Sequence, residues 1–214
     1  MKNELIRKAI SEIENPTFGT TEQYIEVLNI EIENGKPKVE RVDFESFEET
    51  NVVYFSIKGE PFFLSVYFCK ENNEITNVGI ENGNQVSLTA TSENLTFEQL
   101  SGLTNLKGFS GWSVNDIRKT GKGNYSFSRL SFEPIKNRAY DLDSKLKLLL
   151  TDLEKDVAGI RKLVEKANVY ISVHNQQYID GNKGIHLDRE TINRISELNL
   201  AIDFDQYVFG NELK

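Results

Sequence analysis

The stretch GIHLDRETINRISELNLAIDFDQYVFG, residues 184–210, decides how the chain folds. It reads as a turn, a short helix over 188–198 and a closing strand over 201–209. In that strand Ile202, Phe204 and Val208 share one face, and Asp203, Asp205 and Tyr207 the other. Such a strand is expected to cover a core with its apolar side and to show carboxylates on the other. Working backwards, residues 169–179 read as a strand and 141–167 as the longest helix. That helix carries Leu142, Leu146, Leu149, Leu150, Leu153, Val157, Ile160, Leu163 and Val164 on its stripe, with Gly159 as the expected bend. Residues 125–132 form an aromatic strand. The segment 106–124, with four glycines, Trp112, Arg118, Lys119 and Lys122, reads as a long loop. Before it, Thr96 and Gln99 stand in capping-box positions for a short helix.

The N-terminal part has a different texture. Leu5, Ile6, Ala9, Ile10 and Ile13 make one helical stripe, ended by Asn15-Pro16 because the residue before proline avoids the helical region. Residues 24–32 alternate as a strand, Asn34-Gly35 offers a tight turn, and 37–47 reads as its hairpin partner. Two aromatic runs, 52–57 and 62–68, are joined by Lys58-Gly59-Glu60-Pro61. Asn72-Asn73 turns the chain into 75–80, and a further strand covers 86–91. The expected class is α+β. Residues 1–85 form an acidic helix-plus-antiparallel-meander region, and 86–214 a strand-helix alternating βαβαβαβ region. No proline- or serine-rich linker separates them, so two subdomains and one extended sheet both satisfy the sequence.

Charge is segregated. Residues 1–92 hold 8 Lys or Arg against 16 Asp or Glu, whereas 93–214 hold 17 against 17, so the whole net charge of −8 lies in the first part. An acidic surface repels phosphates and attracts basic partners. There is no apolar run of about 18 residues to span a bilayer and no apolar secretory leader at the charged N-terminus. The single cysteine, Cys69, rules out an internal disulfide and suits a reducing compartment. The expectation is a cytoplasmic protein that binds neither nucleic acid nor membrane.

From about residue 86 to 209 the chain resembles the bacterial domain-of-unknown-function family numbered 4279. The resemblance rests on SENLTFEQLSGLTNL, GWSVNDIRKTGKG, YSFSRLSFEP, the long helix with its following strand, and the closing GIHLDRETINRISELNLAIDFDQYVF. It implies architecture, with residues 1–85 as an added region, and implies no catalytic residues.

Candidate chemistry is sparse. Asp203 and Asp205, two apart on one strand, would place carboxylates roughly 7 Å apart on one face. Such a pair could ligate a divalent cation or act as acid and base, or simply form a polar face. His174 and His186 lack the neighbours of a zinc site. KTGKGNYS departs from the phosphate-loop pattern and leads into a strand rather than a helix. Cys69 closes an aromatic strand, and no G-x-S-x-G occurs. No catalytic residue, metal site or cofactor is expected.

The expectation that remains is a non-enzymatic interaction protein of bacterial immunity type, whose partner is a protein, with a basic toxin the favoured case. Glu31, Glu33, Glu40, Asp43, Glu45, Glu48 and Glu49 would meet that partner, and Trp112 would add an aromatic contact. The alternatives are a metal- or small-ligand-binding protein, with or without enzymatic activity, that uses the Asp203/Asp205 face, and a self-associating structural module.

Overall fold

A computed structural model of the chain describes residues 1–181 and 184–211. The class is α+β. Helix α1 (Lys2–Glu14) and helix α2 (Gly19–Val27) precede a two-stranded ribbon, β1 (Ile32–Glu33) and β2 (Lys36–Pro37). An antiparallel meander follows: β3 (Val39–Asp43), β4 (Thr50–Ser56), β5 (Phe63–Cys69) and β6 (Ile75–Glu81), in that spatial order. Asn82 alone separates β6 from β7 (Gly83–Ser92), which starts a second sheet.

The elements that follow are α3 (Phe97–Ser101), β8 (Ser110–Trp112), β9 (Ser128–Phe132), α4 (Leu142–Leu153), α5 (Val157–Lys166), β10 (Asn168–Tyr178), α6 (Arg189–Glu197) and β11 (Ala201–Phe209). The strands of this second sheet have the order β11-β10-β7-β9-β8. Its pairings are antiparallel except for β10 with β11, which are parallel and joined through α6. The single extended sheet that the sequence also allowed does not form: the meander and the five-stranded sheet are separate. Among the described residues no helix is long and apolar enough to cross a membrane.

Each sheet has its own core. In the first, Leu5, Ala9 and Ile13 of α1 pack on Val53, Phe55, Leu64 and Val66. In the second, Leu146, Leu149 and Leu150 of α4 and Ile160 and Leu163 of α5 pack on Val86, Leu88, Ile171 and Val173. At about 1.5–3 kcal/mol per fully buried aliphatic side chain, these layers supply the main driving force.

Four expectations are corrected. Residues 24–32 are not a strand, since 19–27 form α2. The buried carboxylate of Glu12 accepts from the Thr17 and Phe18 N–H groups and the Thr17 and Thr21 hydroxyls, which fixes the first turn of α2. Tertiary anchoring thereby overrides the alternating pattern. The 141–167 helix is two helices, broken not at Gly159 but by a 3₁₀ turn at Glu154–Asp156. There Asp156 accepts from the Gly159 N–H and caps α5. The loop 106–124 contains the strand β8, which pairs with β9.

The apolar side of β11 does not cover a core along its length. Ile202 packs inward, but Phe204 is 37% and Val208 56% exposed. Among the described residues the strand pairs with β10 alone, as the last strand of the order.

Candidate partner-binding surface

Of the acidic residues in the N-terminal region, Glu45, Glu48 and Glu49 lie together in the loop that follows β3, whereas Glu31, Glu33 and Glu40 lie toward the other end of that strand. Asp43, 1% exposed, is not at the surface, which corrects its expected place in a contact. Its carboxylate is paired with Arg41 at 3.1 Å and accepts the N–H groups of Glu45 (2.9 Å) and Ser46 (3.1 Å). A short acceptor side chain bonded to backbone two and three residues on makes a tight turn, so Asp43 shapes the loop rather than meeting a partner. Phe47 packs edge-to-face on Tyr67, and Lys70 donates to the Phe47 carbonyl at 2.6 Å. Pinned at these points, the loop turns Glu45, Glu48 and Glu49 to solvent.

Glu71 belongs to the same surface. With Glu48, Glu49, Cys69 and Lys70 it lines a shallow groove beside the loop. It escaped the sequence reading because it is distant in the chain and is brought to the loop by the β4–β5 pairing of Thr50 with Cys69 and the bond from the Lys70 N–H to the Glu49 carbonyl. Glu33 is exposed on the β1–β2 ribbon. Glu31 is paired with Lys38 at 3.2 Å, and that hydrogen bond raises the Lys38 pKa. Glu40 accepts from Ser56 Oγ at 3.1 Å. These two carboxylates already have partners. Among the described residues, Glu45, Glu48 and Glu49 have no cationic partner.

Trp112 lies elsewhere, on the outer strand of the other sheet. Its ring stacks on Tyr125 with centroids 4.3 Å apart, and its Nε1–H donates to the Phe127 carbonyl at 3.0 Å. Arg129 stands 5.8 Å from the ring. Trp112 and the acidic loop thus occupy outer strands of different sheets.

On the polar face of β10 and β11, His174 is opposite Asp205 and Ser172 opposite Asp203. His174 Nε2 stands 3.6 Å from Asp205 Oδ2 and 3.1 Å from Ser172 Oγ. Among the described residues no three His, Cys, Asp or Glu side chains come together in a way that could hold a metal ion. His186 is exposed in the turn before α6.

Lys145 is a buried cation. It is 2% exposed on α4 and donates to the carbonyls of Asn84 (2.7 Å) and Asn137 (3.0 Å). Burial pushes its pKa down to about 8, against the opposing attraction of Glu133. The two carbonyls take two of its three N–H donors and tie α4 to the start of β7 and to the segment that leads into α4.

Residues 81–209 match the family model described as a domain of unknown function, DUF4279. The chain belongs to the DUF4279 family. The match opens on the last residue of β6 and closes on the last residue of β11, so it takes in the second sheet and its helices. Trp112, Lys145 and the β10–β11 face lie within the DUF4279 region, whereas the acidic loop lies in the additional N-terminal region. No curated protein and no solved structure matches the chain.

Proposed function

We propose that the protein is a non-enzymatic interaction module of immunity type, which acts in the cytoplasm by binding and neutralising a basic toxin. The single observation that carries this reading is the 44–49 loop. Asp43 and Phe47 hold its backbone in place, and Glu45, Glu48 and Glu49 project from it without cationic partners. A pre-shaped, one-signed surface suits electrostatic recognition, because little ordering remains to be done on binding. Glu71 extends the surface, whereas Glu33 stands on the ribbon beside the Ser56 end of β4, away from the loop, and would serve only a partner that reaches that end. Glu31 and Glu40 would contribute less, being already bonded within the chain. Trp112 would serve only a partner large enough to reach the other sheet.

The test is affinity capture from the native host with a salt gradient, followed by co-expression of the captured protein with this one. A basic partner that elutes at moderate salt and whose toxicity co-expression suppresses supports the reading. The triple variant Glu45→Gln, Glu48→Gln, Glu49→Gln should then lose both binding and protection. Retention of both by the variant, or a captured partner with no toxicity to suppress, would overturn it.

A further inference from the structure

The outer strands of the two large sheets are not alike. Native edges are blunted by shortness, bulges, proline or lysine, because unpaired backbone groups invite another strand. β3 carries a register shift between Val39 and Arg41, the β5–β6 ladder one between Tyr67 and Phe68, and β8 is three residues long. β11 has none of these devices. All nine of its residues run in unbroken register with β10, from Tyr170↔Ala201 to Tyr178↔Phe209. It contains no proline, lysine, arginine or glycine. Seven of its nine positions are exposed, Phe204, Tyr207 and Val208 among them.

Its chemistry selects the occupant. Asp203 and Asp205 point to one side, and Ile202, Phe204 and Val208 to the other. A second copy fits poorly. Antiparallel self-pairing that keeps the apolar sides together gathers four aspartates on one face, and when centred on Phe204 or Asp205 it sets aspartate directly opposite aspartate. Like charges so placed destabilise a strand pair.

We infer that β11 is a strand-addition site for an extended segment of another protein in which lysine or arginine alternates with apolar residues. The segment's backbone would bond to the β11 groups turned away from β10. Its cations would stand opposite Asp203 and Asp205, and its apolar side chains would cover Phe204 and Val208. The site lies within the DUF4279 region and is independent of the acidic-loop reading.

The probe is a synthetic peptide of about nine residues alternating Lys and Val, the length of β11 at strand spacing. Its binding to the full chain is followed by fluorescence anisotropy and amide hydrogen exchange. We expect salt-sensitive binding that protects amides within 201–209. Binding should weaken about tenfold or more in Asp203→Asn/Asp205→Asn and, separately, in Val208→Lys, both surface changes. A peptide of the same composition in block order, and one N-methylated at alternate amides, should bind at least about tenfold more weakly. Glu45→Gln/Glu48→Gln/Glu49→Gln should bind the peptide as the parent does. Absent binding, equal binding of the block-order peptide, or protection outside 201–209 would overturn the proposal. So would a dimer in sedimentation that Val208→Lys dissolves, since the occupant would then be a second copy.

Discussion

The guanidinium of Arg41 sits 3.3 Å from the ring centroid of Tyr140, so the edge of the first sheet is clamped to the segment that leads into α4. The same group donates to the Ala139 carbonyl at 3.0 Å and pairs with Asp43 at 3.1 Å. Asp43 in turn holds the N–H groups of Glu45 and Ser46. One side chain thus braces both the acidic loop and the crossing segment that covers Tyr54 and Phe63.

Arg41→Ala should therefore destabilise the protein strongly, because it leaves the Asp43 carboxylate buried without its cation. Removing one partner of a buried pair costs about 3–5 kcal/mol. Arg41→Lys should cost less, since the charge survives although the planar fork is lost. A double-mutant cycle of Arg41→Ala with Tyr140→Ala should give a coupling of about 0.5–2 kcal/mol for the cation over the ring. Urea denaturation measures all three. An unchanged midpoint for Arg41→Ala would show that the clamp is dispensable.

Lys145 makes a prediction in pH. Burial lowers its folded pKa to about 8, from an unfolded value near 10.5. Between those values the unfolded chain binds more protons than the folded one, so this group makes stability rise with pH across the window. Below about 8 both states are protonated and the contribution is flat. Lys145→Met should remove that rise while destabilising the fold throughout, because the Asn84 and Asn137 carbonyls lose their donor at about 1–3 kcal/mol each. Denaturation at several pH values from 7.5 to about 10.5, parent against variant, checks it. Parallel curves would refute the assignment.

Local chemistry made most elements legible. Asn34 and Gly35 adopt positive φ, 52° and 77°, as the ribbon turn requires. Thr96 and Gln99 form the reciprocal capping box. The α4 and α5 stripe faces its core. What failed depended on contacts from afar. Residues 24–32 alternate, yet Glu12 commits the preceding segment to a helix, and Tyr24 packs edge-to-face on Tyr178 of the other sheet. Asp43 reads as one more surface acid; its partners Arg41, Glu45 and Ser46 are near in the chain, but Arg41 is itself held by Ala139 and Tyr140, which are far off in the sequence. The exposure of β11 was equally hidden, since alternation tells which residues share a side but not whether anything covers it.

Glu12 should matter most in acid. Burial alone would raise its pKa, but the Thr17 and Thr21 hydroxyls and the Phe18 and Thr17 N–H groups together hold it below the usual value. A lowered carboxylate stabilises the fold above its unfolded pKa, and that contribution is lost as pH falls through the folded pKa. Glu12→Gln should cost about 1–3 kcal/mol at pH 7. Parent and variant should converge as pH drops below about 4.5, the unfolded range for glutamate. A constant difference between them down to acid pH would show that charge plays no part.

The joint between the sheets rests on Gly83. A Cβ there would collide with the Pro61 carbonyl, which is backbone and cannot swing away as a side chain could. Gly83 opens β7 one residue after β6 ends, so a shift would pull on both sheets at once. It would also disturb the adjacent chain of Asn82 to Asn175 and Asn175 to Asn84 hydrogen bonds. Gly83→Ala should thus cost at least about 1–3 kcal/mol, the range for overpacking. Gly59→Ala is the matched control: its φ of +79° is left-handed, but nothing stands within 4 Å of the added methyl. It should lose only about 1–2 kcal/mol, the penalty of that backbone region alone. Thermal denaturation of the two variants separates collision from conformation. A Gly83→Ala protein as stable as the parent would mean that the two sheets can move apart at Asn82 without loss.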